Sequence, residues 1–272
     1  MKLFYSEYRN DYTTYTFSYA VYALKEQQEE APSIYAQGFL PYTGRLDIPA
    51  DLFYLARSLR VNLAEFSLTS ENRRVLRLSA ELNIQIEVRR KEDFDITNSA
   101  FLDYCAHYAE ERFSGGSMAT ERLAYVLERE LLTHILTFRS TDRVLGYVFG
   151  VQVGEMFHYW YAFFDTALLQ SHALGKAIML HTLLWAKEFG LQYLYLGTCY
   201  TPKALYKVRD HKGCEFFDGV GWNNDISILK SLCANDLEPQ ENADLFKQKD
   251  HALQAKFTGL WEPQKIKSPP SE

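Results

Sequence analysis

The chain has 272 residues, of which 47% are apolar, 15% aromatic and 24% charged. This composition excludes a disordered or low-complexity protein, and the length suits one large domain or two small ones that share a core. The formal net charge of −6 argues against a general polyanion-binding surface and leaves room for local basic patches.

Simple sequence features argue against disulfides, metal sites, a signal peptide and a membrane span. The four cysteines lie at least 15 residues apart, so we expect no disulfide scaffold, no bound metal and no iron–sulfur cluster. The N-terminus lacks the apolar segment of a signal peptide, and no stretch approaches the roughly 18 consecutive apolar residues of a membrane span. We therefore expect a soluble, cytoplasmic protein with reduced thiols.

The first part of the chain predicts strands that alternate with short helices. Residues 2–22 are rich in Tyr, Phe and Thr and predict one or two strands. A short helix is predicted near 33–40 and a strand over 57–66. Ser70 is the predicted N-cap of the next helix, and the alternation over 83–89 predicts a strand after it.

Two helices are then predicted over 97–113 and 119–131, and the small polar segment 114–117 separates them. The chain ends in a polar tail that starts near Asp236. That tail has room for one helix before its Ser- and Pro-rich end.

The second half has the most regular order of elements. Strands are predicted over 133–139, 143–153 and 155–164, a long helix over 171–189 and a last strand over 191–197. A single crossover helix after an antiparallel meander makes the last strand parallel to its predecessor. This order resembles the core of the GNAT acyltransferase fold, and we expect an α/β protein with a mixed sheet and flanking helices.

In the GNAT fold the two parallel strands splay apart and the crossover helix binds phosphate through its free N-terminal amides. The usual signature at that helix start is Q/R-x-x-G-x-G/A. Residues 170–175 resemble it, although Ala173 stands where the first Gly is expected. An ordinary helix start explains the segment equally well, so both interpretations stay open.

Further short motifs extend the resemblance to much of the chain, over about residues 14–222. They are a strand with Tyr161, Phe164 and Asp165, a Leu174-Gly175 helix start, a Tyr195-Leu196-Gly197 strand, a Lys203, Tyr206 and Lys207 element, the D-G-V-G-W segment 218–222, and the basic run 72–77. Together they resemble the bacterial arginyl- or leucyl-tRNA–protein transferases.

The resemblance implies transfer of Arg or Leu from a charged tRNA to the N-terminal amine of a protein or peptide. It also implies an N-terminal lobe over 1–95, a GNAT-like domain over 96–235 and a polar tail over 236–272. The chain departs from the family at its cysteine cluster, because 49–57 contains no cysteine. Target specificity and activity are therefore left open.

The expected chemistry is attack of an amine on an activated ester, which needs alignment and oxyanion stabilisation more than strong acid–base groups. Asp165 is the candidate for removing the proton of the amine, and the alternative is that it caps the following turn.

His158 points either into the core or into the cleft. The predicted substrate-binding residues are Tyr161, Phe164, Gly175, Tyr195 and Gly197.

A local basic stretch supports a tRNA partner. Residues 57–91 hold eight Lys and Arg against four Glu, and the alternative is a solvated helix face paired with Glu71 and Glu81. The predicted tRNA-binding residues are Arg73, Arg74, Arg77, Lys203, Tyr206 and Lys207.

No cofactor, DNA or membrane partner is expected. The alternative functions are an N-acyltransferase that uses acyl-CoA and a binding protein without catalytic activity.

Overall fold

The computed structural model describes residues 1–13, 15–112 and 120–236. The first 55 residues form a four-stranded antiparallel sheet in the order β1-β2-β4-β3. Its strands are β1 (Lys2–Asp11), β2 (Thr16–Leu24), β3 (Phe39–Pro41) and β4 (Leu52–Leu55), and helix α1 (Ala31–Ala36) lies between β2 and β3. The strands predicted over 2–22 are confirmed.

A second sheet has eight strands in the order β12-β11-β5-β10-β9-β8-β7-β6. The strands are β5 (Ser58–Asn62), β6 (Gln85–Arg90), β7 (His134–Arg139), β8 (Val144–Val153), β9 (Met156–Phe164), β10 (Tyr193–Thr198), β11 (Cys214–Phe217) and β12 (Trp222–Asn223). Only β9 and β10 are parallel among these described neighbours, which confirms the α/β fold with a mixed sheet. The boundary at residue 95 stays a prediction, and β5 and β6 lie in this sheet although they precede it.

The remaining helices are α2 (Ser70–Ser79), α3 (Ser99–Arg112), α4 (Thr120–Glu128), α5 (Leu174–Glu188), α6 (Tyr206–Arg209) and α7 (Ile226–Asn235). The N-cap of α2 is Thr69 and not the predicted Ser70. The Thr69 hydroxyl accepts from the Asn72 amide, and the Asn72 side chain accepts from the Thr69 amide, so two end groups are satisfied at once. The predicted turn 114–117 and the tail beyond Asp236 lie outside the described residues.

Helices cover both faces of the larger sheet. Neighbouring residues of β8 show this, because Val148 packs in the cluster with α2 and α5 whereas Phe149 packs in the cluster with α3 and α4. The four-stranded sheet packs against the end of the larger one through a third cluster that includes Tyr35, Phe53 and Met156. No helix of the described residues is long and apolar enough to cross a membrane.

The parallel strands pair only briefly before they separate. Residues 193–195 of β10 pair with 156–158 of β9, and the pairing ends at Tyr195 and His158. Strand β9 also bulges at Trp160, because Phe149 and Gly150 of β8 face the residues on either side of it. The predicted order of strand, crossover helix and parallel strand, splayed at its carboxyl end, is confirmed.

Candidate functional site

A cleft of about 770 Å³ lies where β9 and β10 separate. Its walls come from the loop after β3, the exposed part of β9, the start of α5, the end of β10 and α6. The polar residues that line it are Tyr42, Thr43, Tyr54, Tyr108, Arg112, His158, Tyr159, Tyr161, Lys176, Thr198, Tyr206 and Lys207. No Asp or Glu is among the described residues that line it, so the cleft favours neutral or anionic groups.

The two sheets meet across this cleft through a pair of hydroxyl groups. The oxygens of Thr43 and Tyr161 lie 3.0 Å apart, and burial raises the pKa of the Tyr161 phenol. The loop after β3 therefore forms one wall of the cleft and holds a tyrosine of β9 in a defined position.

The splayed end of β10 is stabilised by Lys207 from α6. Its ammonium donates to the carbonyl oxygens of Leu196 at 2.9 Å and Thr198 at 3.1 Å. Gly197 lies between these carbonyls with φ +78°, a left-handed conformation that favours glycine. Burial lowers the pKa of the Lys207 ammonium, which lies close to the parted strands.

His158 occupies the last paired position of β9 and lines the cleft. Its Nδ1 lies 3.0 Å from the hydroxyl of Tyr35, a fully buried residue of α1. Burial, with a smaller contribution from the charge of Lys207, lowers the pKa of His158 to about 3. The imidazole is therefore neutral near pH 7.

The start of α5 closes one end of the cleft. Ala173 precedes the helix with φ +49° and provides no side-chain cap. A Cβ atom on Gly175 would lie 2.7 Å from the ring of Phe164, so only glycine fits at this contact. The ammonium of Lys176 lies 2.8 Å from Glu71 and 2.7 Å from Asp210, which links α5 to α2 and α6.

Asp165 lies at the end of β9 but does not line the cleft. Its Oδ1 accepts from the backbone amide of Ala167 at 3.0 Å and so caps a single turn of 3-10 helix. Its Oδ2 lies 3.2 Å from the guanidinium of Arg143. This geometry supports the capping alternative more than the proton-removing role.

Four of the five predicted substrate-binding residues line the cleft, namely Tyr161, Phe164, Gly175 and Gly197. The fifth, Tyr195, is 2% exposed and packs against the rings of Tyr35 and Trp222. The structure gives Tyr195 a packing role, because its ring offers no face to a ligand.

The predicted tRNA-binding residues come from two segments that the fold brings into contact. The Thr69 hydroxyl donates to the Asp210 carbonyl at 3.1 Å, and the Asn72 amide nitrogen lies 3.3 Å from the His211 ring. The start of α2 therefore packs against the end of α6.

Within these segments, Arg73, Arg77 and Lys203 have exposed side chains, and Arg73 donates to the Leu68 carbonyl. Arg74 pairs with Glu71 at 2.7 Å, as the solvated-face alternative proposes. The half-exposed ring of Tyr206 lines the cleft. The ammonium of Lys207 points to backbone carbonyls, and this geometry leaves the residue on the cleft wall rather than on the outer basic surface.

Tyr35, Arg112 and Lys176 are among the residues of the site that the sequence did not predict. Lys176 follows directly after Leu174-Gly175, so its place beside the helix start was a usable signal. No local pattern marks the other two, because α3 reaches the cleft by packing against the larger sheet, and Tyr35 reaches His158 only through the packing of the two sheets.

The four cysteines are buried free thiols. The sulfur atoms of Cys199 and Cys233 lie 3.9 Å apart. Within residues 1–13, 15–112 and 120–236, no group of three or more His, Cys, Asp or Glu side chains is arranged to hold a metal ion.

Comparison with known proteins identifies the domain. Residues 67–208, just over half of the chain, match the family described as an acetyltransferase (GNAT) domain. This stretch contains α2, the meander, the crossover helix α5 and most of the residues that line the cleft, whereas the wall from 40–44 and Tyr54 lies outside it.

Two similar proteins carry the name aspartate/glutamate leucyltransferase. The one from Pseudomonas aeruginosa is 28% identical over 171 residues, which cover 60% of this chain and 68% of that protein. The one from Ruegeria pomeroyi is 26% identical over 173 residues, with 61% and 60% covered. Among solved structures, the L-PGS of Bacillus licheniformis has a TM-score of 0.40 at 11% identity, and the match covers 65% of this chain and 51% of that one.

Proposed function

Because this chain belongs to the acetyltransferase (GNAT) domain family, we propose that its cleft transfers an aminoacyl group from a charged tRNA to the N-terminal amine of a protein or peptide. The observation that carries the proposal is the 770 Å³ cleft at the parted strands, with an aromatic and cationic lining. Its size accommodates the aminoacyl end of a tRNA together with the end of a peptide.

The reaction needs few groups from the protein. The neutral amine of the acceptor attacks the ester carbonyl, a tetrahedral oxyanion forms, and the ribose hydroxyl of the tRNA leaves as the amide forms. The amine loses one proton and the leaving hydroxyl gains one, so the step is balanced without a cofactor. Alignment and oxyanion stabilisation supply most of the catalysis, which agrees with a cleft without a lining carboxylate.

The donor end of the proposal draws on the basic side chains beside the cleft. Arg73, Arg77 and Lys203 are exposed and are available to phosphates of the tRNA. The half-exposed ring of Tyr206 lines the cleft and suits stacking on the terminal adenine.

The acceptor end draws on Arg112 and on the names of the relatives. The two relatives are named for leucine transfer involving aspartate and glutamate. We therefore propose leucine as the first donor to test, and peptides that begin with Asp or Glu as the first acceptors. Arg112 is exposed at the end of α3 and lines the cleft. Its guanidinium is placed to pair with the side-chain carboxylate of an acceptor peptide that begins with Asp or Glu.

An acyl-CoA donor is the second candidate, and one observation favours it. Helix α5 begins beside the cleft, and its N-cap residue, Ala173, offers no side-chain cap to the first amides. Free amides at a helix start bind the phosphates of a pyrophosphate carrier.

A transfer assay tests the proposal directly. The protein is incubated with Leu-tRNA, Arg-tRNA or acetyl-CoA and with peptides that begin with Asp, Glu or Ala, and the products are identified by mass spectrometry. We expect a peptide that begins with Asp or Glu to gain one leucyl residue from Leu-tRNA, and an N-acetylated peptide to gain nothing. Transfer from acetyl-CoA alone supports the second candidate and contradicts the first.

A matched pair of variants localises the activity. Arg112→Gln should raise the KM for acidic acceptors, whereas Arg139→Gln, at the exposed end of strand β7 and outside the lining of the cleft, should leave it unchanged. A thermal-shift screen with the same donors shows which of them binds, because any ligand that binds the native state raises the melting temperature. Comparison with the transfer assay then separates a binding protein from an enzyme. Stabilisation by charged tRNA without any transfer would indicate that the chain binds and does not catalyse.

A further inference from the structure

His158 is buried at the point where β9 and β10 separate, and its ring lines the cleft. We propose that neutral His158 donates a hydrogen bond from Nε2 to the carbonyl oxygen of the acyl donor and stabilises the oxyanion. Tyr35 is the positioning residue that fixes this tautomer. The inference rests on the proposed acyl transfer and names the group that supports it.

The tautomer follows from the hydrogen bonding of Tyr35. Its hydroxyl is fully buried, and Nδ1 of His158, at 3.0 Å, is its one hydrogen-bond partner within the described residues. If Nδ1 carried the proton, the hydroxyl hydrogen of Tyr35 would be buried without an acceptor, which is unfavourable. The hydroxyl therefore donates to Nδ1, and the ring proton lies on Nε2.

The free nitrogen of the ring faces the cleft. Nε2 makes no hydrogen bond to the described protein, and it is not among the fully enclosed side-chain nitrogen and oxygen atoms of the described ranges that lack one, so part of its surface is accessible. His158 also lines the cleft. An N–H donor at this nitrogen consequently points to the space that the substrate occupies.

The position of His158 suits a carbonyl oxygen. It is the last residue of β9 that still pairs with β10, so the space next to it is where the two strands begin to separate. The cation of Lys207 acts on the ring through space and adds to the positive potential. A neutral donor in an enclosed site stabilises developing negative charge without having to lose a proton.

The tautomer is measured first, on the free protein and independently of any activity. Nitrogen-15 NMR of protein labelled at histidine distinguishes a protonated Nε2 from a protonated Nδ1. We expect the His158 signals to show Nε2–H from pH 6 to 8 in the wild type and a loss of this preference in Tyr35→Phe. A wild-type Nδ1–H tautomer overturns the proposal even if the protein is an active transferase.

Single-turnover transfer tests the catalytic half. His158→Ala should slow the acyl-transfer step by about 10²- to 10³-fold, the usual loss for one oxyanion donor, with little change in the Kd of the charged tRNA. His158→Gln keeps an N–H donor on a side chain of similar length and should recover part of the rate. Tyr35→Phe should cause an intermediate loss.

Two controls separate this role from general damage. Tyr104→Phe removes a different hydroxyl, which is partly buried and donates to the Leu145 carbonyl at 2.8 Å. His181→Gln removes a histidine of α5 that does not line the cleft. Both should leave the rate unchanged. Equal rates for wild type and a folded His158→Ala overturn the inference alone, whereas failure of the wild type with every donor refutes the proposed function and leaves the NMR result to decide the tautomer.

Discussion

The ammonium of Lys207 lies 2.9 Å from the carbonyl oxygen of Leu196, on the strand that leaves the parallel pair. The K-x-x-Y-K element and the Y-L-G strand, which are separate motifs in the sequence, are thus two halves of one structural unit. Where the strands separate, β10 loses β9 as a hydrogen-bonding neighbour. The ammonium of Lys207 donates to the carbonyls of β10 in its place.

Loss of that ammonium should destabilise the protein. Lys207→Met leaves the carbonyls of Leu196 and Thr198 without this donor, and we expect the free energy of unfolding to fall by about 2 kcal/mol. The exposed Lys203→Met is the matched control and should change it by less than about 0.5 kcal/mol. Urea denaturation measures both, and wild-type stability of Lys207→Met would contradict the assignment.

Asp165 is expected to act on stability and not on catalysis. Asp165→Ala removes the cap on the Ala167 amide and should cost about 1 kcal/mol, whereas Asp165→Asn keeps a capping oxygen and should cost less. Single-turnover transfer by both variants, measured well below their melting temperatures, should stay within about twofold of wild type. A slow but fully stable Asp165→Asn protein would restore the catalytic role.

Ala173 carries backbone strain that glycine would relieve. Its φ of +49° is unfavourable for a residue with a Cβ atom, so Ala173→Gly should raise the free energy of unfolding by about 1 kcal/mol. Ala177→Gly, one turn further into α5, should have the opposite sign because glycine weakens a helix interior. Thermal or urea unfolding of the two variants measures the difference, and equal signs would argue against strain at Ala173.

The basic face of α2 should contribute to tRNA affinity through phosphates. Replacing Arg73 and Arg77 with Gln should weaken binding of tRNA and flatten the plot of log K against log salt by about 1.5 units, because about two phosphate contacts are lost. The same change of charge at Arg89 and Arg90, on the edge strand β6, is the control and should keep the wild-type slope. Equal slopes for the two double variants would show that α2 does not bind the tRNA.

Buried neutral histidines should make stability depend on pH below neutrality. Burial lowers the pKa of His158 to about 3 and that of His211 to about 4, and it lowers the pKa values of His134 and His181 as well. Unfolded histidines take up protons near pH 6.5 while the folded ones do not, so stability is complete above pH 6.5 and is lost as the pH falls towards 4.

The expected loss is on the order of 1 kcal/mol per pH unit for each fully buried ring. Urea denaturation between pH 7 and pH 5 measures this loss. Carboxylates contribute to the pH dependence of stability only at lower pH; Glu71, for example, has its pKa lowered to about 2 by Arg74 and Lys176. His158→Gln should reduce the slope, and an unchanged slope would mean that this ring is already protonated in the native state.

Local periodicity was sufficient to predict β9, α5 and β10, the three elements at the point where the cleft opens. The apolar positions of α5 recur at helical spacing, and β9 is a continuous apolar and aromatic run, so each element is specified by its own residues. Their order then required a parallel pair, because one crossover helix joins the two strands. The sequence also allowed both roles of Asp165, proton removal and capping of the following turn, to be predicted, since an Asp after a strand is a common cap.

Tertiary structure alone decided which side chains meet in the cleft. Tyr35 and His158 are 123 residues apart, and only the packing of the small sheet against the larger one brings them to hydrogen-bond distance. The same packing encloses Tyr195, the first residue of the Tyr195-Leu196-Gly197 motif, which was predicted to bind substrate. Whether a side chain faces ligand or core depends on what another part of the chain places against it, and sequence spacing carries no information about that neighbour.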